Sequence, residues 1–334
     1  MTFEEPEFQI PEKPRWTVAR VIKTIVVPLV FAVLLLWFVW NERARLEPLK
    51  DAPPHWVAVL MILVLIAHFL NSTEFWLLYR SNGTKSGIFE NWMLFLASQL
   101  GNYVPGQGGT LYRLRYMRAV HNVTYPESVA VYGANFVVTL VGASLTAFIG
   151  VIGFALTGGR LSYVLLLVSA GLIASAVAAA LVPLPKFASG NGRIARAWKS
   201  FHRGFEQIRN DLPAALLCVA LEVTKYLATG LRMYIAFRLL EVHESFWFFL
   251  VLAPAAGLAQ FVAFTPGAFG FRELFITGAA AALGVGFDYA LLVATLERAV
   301  LMLVALGGGS IAFLITYPRL RAVSPDVPAA QSTG

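Results

Sequence analysis

Residues 56–79 read WVAVLMILVLIAHFLNSTEFWLLY, and stretches at roughly 127–157, 161–182, 213–240 and 288–317 are apolar over comparable lengths. A bilayer core about 30 Å thick takes about 20 such residues in a helix. Within lipid every backbone N–H and C=O must find its partner inside the protein, so runs of this kind fold as helices. A sixth run, TIVVPLVFAVLLLWFVW at 24–40, meets Asn41, Glu42 and Arg43 rather than a small-residue cleavage site. It reads as a membrane anchor and not as a signal peptide. Composition agrees: 58% of the chain is hydrophobic and 13% charged, where a soluble domain carries about 25% charged residues.

Two further apolar regions are broken. Residues 89–104 stop at Pro105-Gly106; residues 246–264 stop at Thr265-Pro266-Gly267, and a second apolar piece runs from 271 to 286. Proline removes a backbone donor and clashes with the preceding turn. Such a break at membrane depth survives where protein or a wet cavity surrounds it. Both regions read as re-entrant helical hairpins, 89–120 and 246–286, with the Pro-Gly at the tip; ordinary kinked spans are the alternative. The two breaks also correspond. Gln99, Pro105, Gly106 and Gly109 match Gln260, Pro266, Gly267 and Gly270 at a constant offset of 161 residues (Gln99 to Gln260, Gly109 to Gly270).

Charge sets the orientation. With the N-terminus inside, seventeen of the 26 Lys and Arg fall on inner segments, against four outside (Arg43, Arg45, Lys50 and Arg160). That bias is the positive-inside pattern, and it accounts for a net charge of +7 without nucleic acid. The chain then divides into a cytoplasmic tail (1–20), a first membrane half (21–182), a basic linker lying on the lipid surface (183–212), a second membrane half (213–317) and a cytoplasmic tail (318–334). The unit 56–79, 89–120, 127–157 enters from outside. Its copy, shifted by 161, enters from inside. The expected fold is an all-α polytopic membrane protein, six full spans and two re-entrant hairpins, arranged as an inverted repeat. In transporters of that design the substrate binds near the midplane between the repeats.

The tips carry the first candidate residues. A broken helix frees backbone N–H groups that attract anions. Gln99, Pro105, Gly106, Gly109, Gln260, Pro266, Gly267 and Gly270 form the two breaks. Arg113 and Arg115 follow the first, and can hold a phosphate through paired N–H donors; fixing topology at the inner surface is the alternative. Arg272 and Glu273 follow the second, where the carboxylate is placed to neutralise the arginine. Ionisable residues within spans usually face a cavity or a bundle interior. Glu222, Lys225 and Arg232 share one face of the 213–240 helix, and Glu297 and Arg298 interrupt the last span. They either line a polar path or pair to lock helices together. Adjacent Glu297 and Arg298 point in different directions, so at least one needs a partner elsewhere.

Other chemistry finds little footing. Five histidines are scattered without metal-ligand spacing, no P-loop pattern exists, and one cysteine, Cys218, excludes an intramolecular disulfide. Neither a cofactor nor a metal is expected.

The segments SQLGNYVPGQGGTLYRLRYM, TPGAFGFRELFITGAAAALGV and ATLERAVLMLVALGGG resemble the lysylphosphatidylglycerol synthase transmembrane region family over about residues 20–317. The resemblance implies a lipid-flippase module, here without the soluble aminoacyl-transferase domain that some members carry. It implies membrane lipids as partners, with lipid-modifying enzymes or glycosyltransferases alongside. The expectation is therefore a non-enzymatic inner-membrane protein with both termini cytoplasmic. It would move an anionic or glycosylated lipid head group across the bilayer. A non-transporting accessory protein of lipid or glycolipid biosynthesis is the alternative; an integral-membrane transferase is a third reading.

Overall fold

The computed structural model describes residues 53–103, 108–158, 162–181, 193–262 and 265–323, with isolated residues Val33, Trp37, Trp40 and Glu47. The expected anchor at 24–40, both terminal tails beyond those limits, the linker residues 182–192 and the first tip with Pro105 and Gly106 lie outside the described residues.

The described residues are helical, without strands. Four helices among them are long and apolar enough to cross a membrane: α1 (Pro54–Ser81), α4 (Tyr125–Leu156), α7 (Leu212–Leu239) and α10 (Phe287–Val323). The chain is a multi-pass membrane protein. Between α1 and α4 stand α2 (Ile88–Asn102) and α3 (Gly108–His121); α5 is Tyr163–Leu181 and α6 Arg193–Asn210. Between α7 and α10 stand α8 (Phe246–Val262), a short turn at Pro266–Ala268, and α9 (Phe271–Ala282). At 1.5 Å per residue each of α2, α3, α8 and α9 measures about 18–26 Å, short of a full crossing. Within each broken region the two short helices pack on one another, α2 on α3 and α8 on α9.

Local signals start the long helices. Thr124 and Glu127 cap α4 reciprocally, Thr124 N–H to Glu127 Oε2 at 2.9 Å, with Pro126 in the first turn. Asp211 caps α7 by accepting from Ala214 N–H. The same carboxylate accepts from Ser81 Oγ at 2.6 Å, tying the end of α1 to the start of α7. At the other end Leu60 and Val64 of α1 meet Ile235 of α7. The two helices therefore run antiparallel.

Packing relies on small residues, as it must where lipid offers no hydrophobic drive between helices. A Cβ on Gly309 of α10 would stand 2.9 Å from the Leu96 carbonyl of α2. One on Gly150 of α4 would stand 2.9 Å from Leu250 of α8, and Gly153 lies under the Trp247 indole. Phe237, Phe248 and Phe249 interlock edge to face beside them, with centroids 4.9–5.9 Å apart.

Two expectations change. The described part of the linker, α6, is amphipathic, but its apolar face rests on protein rather than lipid. Phe205 and Ile208 are buried, Phe201 and Phe205 approach Gly133 of α4, and Gly204 sits against Asn82 and Ala130. The last helix also runs past residue 317 to Val323, carrying Pro318 within it.

Candidate functional site

The second tip is a turn built on three left-handed residues, Gly267 (φ 60°), Ala268 (φ 57°) and Gly270 (φ 87°). Its backbone is held from below. Arg298 of α10 donates to the Gly267 and Ala268 carbonyls, the latter at 3.2 Å, and its Nε donates to Glu273 Oε1 at 2.8 Å. Glu273 Oε2 in turn accepts from Gly270 N–H at 2.8 Å, opening α9. Beside this pair Glu297 accepts from Arg232 Nε and Arg272 Nη2, both at 2.6 Å. All five side chains are buried.

Arg272, Glu273, Glu297, Arg298 and Arg232 thus form one network joining α7, α9 and α10. Consecutive residues lie about 100° apart around a helix, and the pairs cross: Arg272 with Glu297, Glu273 with Arg298. Arg272 hydrogen-bonds to Glu297 rather than to the expected Glu273. Three arginines face two glutamates, and Arg272 Nη1 has no hydrogen-bond partner.

The first hairpin closes through glycine. A Cβ on Gly101 would lie 2.7 Å from Gly109 Cα, and one on Gly109 would overlap the Ser98 carbonyl oxygen. Tyr103, the last described residue before the tip, reaches the second hairpin: a Cβ on Gly267 would stand 3.0 Å from its ring. The two hairpins meet there.

Arg113 and Arg115 separate. Two residues apart on a helix, they face nearly opposite ways, so they do not clamp one phosphate together. Arg113 is 1% exposed, with its guanidinium 3.9 Å from the Phe75 ring centre and within 6 Å of Tyr79 and Phe95. Arg115 is exposed and lines an open cleft of about 350 Å³ with Arg118, Ala119, Asn122, Tyr125 and Val323. Arg118 stacks over Tyr125 at 4.7 Å. Gln99 is half-buried and Gln260 exposed, so neither joins the buried network; Pro266 begins the second turn.

Glu222 and Lys225 pair on α7, as their spacing suggests, and Thr229 and Arg232 continue the same sheltered face. Opposite them on α1, Glu74 is buried and accepts from Asn135 of α4. Tyr103 and Asn135 carry no motif that marks them in the sequence; a lone asparagine in the apolar run of α4 is the nearest thing to a signal.

The model of the lysylphosphatidylglycerol synthase TM region family matches residues 25–309. The chain belongs to this family. The match includes both hairpins and every residue of the Arg232–Glu297 network. No curated protein matches the chain.

At the open end of the first hairpin of this family member, Glu90 receives Tyr116 Oη at 2.7 Å, with His121 Nε2 at 3.2 Å and Arg319 at 3.9 Å. The nearby His121 ring holds the Glu90 carboxyl down at about 2 against the opposing effect of burial, with the Tyr116 hydrogen bond assisting. A carboxyl lowered on folding stabilises the fold at any pH above its unfolded value near 4.5, and that support disappears as pH falls towards 2. Thermal melts from pH 5 to pH 2.5 should show the wild type losing more stability than Glu90→Gln. Parallel losses would mean that His121 and Tyr116 do not favour the ionised carboxyl.

Proposed function

We propose that this protein carries a lipid with an anionic or glycosylated head group across the inner cell membrane, its tails remaining in lipid. The observation that carries the reading is the meeting of two broken-helix hairpins, Tyr103 against Gly267, over a buried charged network. Broken helices at membrane depth serve substrate sites, and buried ionisable residues mark pathways. The antiparallel setting of α1 and α7 supports an inverted repeat of six spans and two re-entrant hairpins. The basic bias of the inner segments supports cytoplasmic termini. The family's description, a lysylphosphatidylglycerol synthase TM region, supports a lipid as the cargo.

In this reading the cleft of Arg115 and Arg118 receives the head group, and the tips gate its passage. Arg298 and Glu273 act through the tip, since their hydrogen bonds go to its backbone and to each other. Scrambling of head-group-labelled lipid in vesicles, read with a membrane-impermeant quencher, tests the proposal. Quenching beyond about half the label in intact vesicles supports it. The double change Arg115→Gln, Arg118→Gln should slow anionic lipids several-fold at an unaltered melting temperature, because both side chains stand outside the core. Equal rates in wild type and variant would remove the cleft from the pathway.

A second reading, an accessory protein that recruits lipid-modifying or glycosyltransferase enzymes, is favoured by α6, whose Arg203 is exposed while its apolar face is already occupied. Loss of a co-purifying enzyme on neutralising α6, with no scrambling in either protein, would choose it.

A further inference from the structure

Two acidic side chains lie deep between α1, α4 and α7, away from the tips. Glu74 and Glu222 are both 0% exposed. Glu74 stands about 10 Å in from the end of α1, and Glu222 about 15 Å in from the start of α7, so the antiparallel helices bring them to similar depth. They are electrostatic neighbours. Gly142 of α4 makes the room: a Cβ there would lie 2.5 Å from Glu222 Cγ.

The polar groups around the pair do not balance it. Lys225 pairs with Glu222 Oε2 and is the one cation in contact among the described residues. Asn135 donates to Glu74 Oε1. Glu74 Oε2 and Glu222 Oε1 are buried without a hydrogen bond, and so is the Tyr226 hydroxyl, which faces Glu222 from a side chain 2% exposed. Beyond these, α7 supplies Cys218, α1 supplies His68, and Arg232 stands further along α7. The face of α4 adds the neutral amide of Asn135 and no charge, and α8, packed on Tyr226 through Gly257, has no ionisable residue. One lysine therefore meets two carboxyls. A second uncompensated negative charge in a dry interior is expensive, and two unfilled acceptors facing a free hydroxyl are what a bound proton would satisfy.

We propose that Glu74 and Glu222 together bind one exchangeable proton, and that its uptake and release drive the lipid movement. The second clause rests on the transport reading above; the first does not. Uptake forms one O–H bond on the pair and takes it from two negative charges to one, which Lys225 then neutralises. Release breaks that bond, delivers the proton to water, and leaves one unbalanced charge that favours parting α1 from α7. No redox partner is needed. Lys225 already occupies the cation position, which argues against a sodium ion between the carboxyls.

The first measurement is the infrared C=O stretch of protonated carboxylic acid in the purified full chain at neutral pH. Wild type should show such a band, and both Glu74→Gln and Glu222→Gln should lose it, because either change leaves one carboxylate for Lys225. Glutamine at 74 still accepts from Asn135, which protects the fold. Absence of the band in wild type, or its persistence in both variants, would overturn the proton site. The second measurement is lipid redistribution in vesicles under an imposed pH gradient. Wild type should shift label towards one leaflet, and Glu74→Gln should lose that shift. A shift that ignores pH and follows a sodium gradient would overturn the proposal, as would scrambling indifferent to both. No scrambling in wild type would instead remove the transport reading and with it the coupling, while the infrared band still decides the site.

Discussion

Replacing Glu297 with Gln should be among the most damaging single changes to this chain. Glu297 receives both Arg232 and Arg272 at 2.6 Å, and all three side chains are buried. Glutamine keeps the shape but strands two guanidinium charges away from water. Breaking a buried pair in this way costs about 3–5 kcal/mol, a large share of a typical stability of about 5–15 kcal/mol. The variant should melt well below the wild type in detergent and elute as a broader species. Adding Arg272→Met should recover part of the loss, since one of the stranded charges is then gone. An unaltered melting temperature for Glu297→Gln would mean that water reaches the arginines and that the network is a wet path rather than a brace.

Gly109→Ala should do comparable harm at the first hairpin. The added methyl would overlap the Ser98 carbonyl oxygen and lie 2.7 Å from the Ser98 carbonyl carbon. A backbone cannot turn aside as a side chain can, so α2 and α3 must move apart. Overpacking of this kind costs about 1–3 kcal/mol, and it displaces the end of α2, where Tyr103 meets Gly267. Lipid scrambling should fall at least tenfold, with a lower melting temperature. Gly278→Ala is the matched control: it is helical, has open space where its Cβ would stand, and should be neutral or slightly stabilising. Equal behaviour of the two variants would show that close approach at Gly109 is not needed.

Four of the expected spans and the two Pro-Gly breaks were legible because apolar length and such breaks are local properties. Observed helices begin and end within about three residues of the apolar limits at 56–79, 127–157 and 213–240. The C-terminal end was not legible: the apolar run stops at 317, yet the helix takes Pro318 within it and continues to Val323. The ionisable residues themselves were legible: Arg232 within one span, Arg272 and Glu273 after the second break, Glu297 and Arg298 within the last span. Which acid meets which base was not, since that depends on how α9 lies along α10. Arg113 was misplaced for a different reason. Arginines after a membrane hairpin suggest an interface, whereas Tyr116 and Met117, three and four residues on, are buried and mark Arg113 as sharing their face. The amphipathic pattern of α6 was plain, but an apolar stripe fits lipid and protein equally well.

The antiparallel seam of α1 and α7 also holds Cys218, fully buried, its sulfur 3.9 Å from the Glu74 carbonyl oxygen. The chain has no other cysteine. A thiol reagent that is excluded by the closed seam can therefore label the unmodified protein only when those two helices part. The rate of labelling becomes a clock for that opening, free of background from engineered sites, and it runs whether or not the cargo lipid is known.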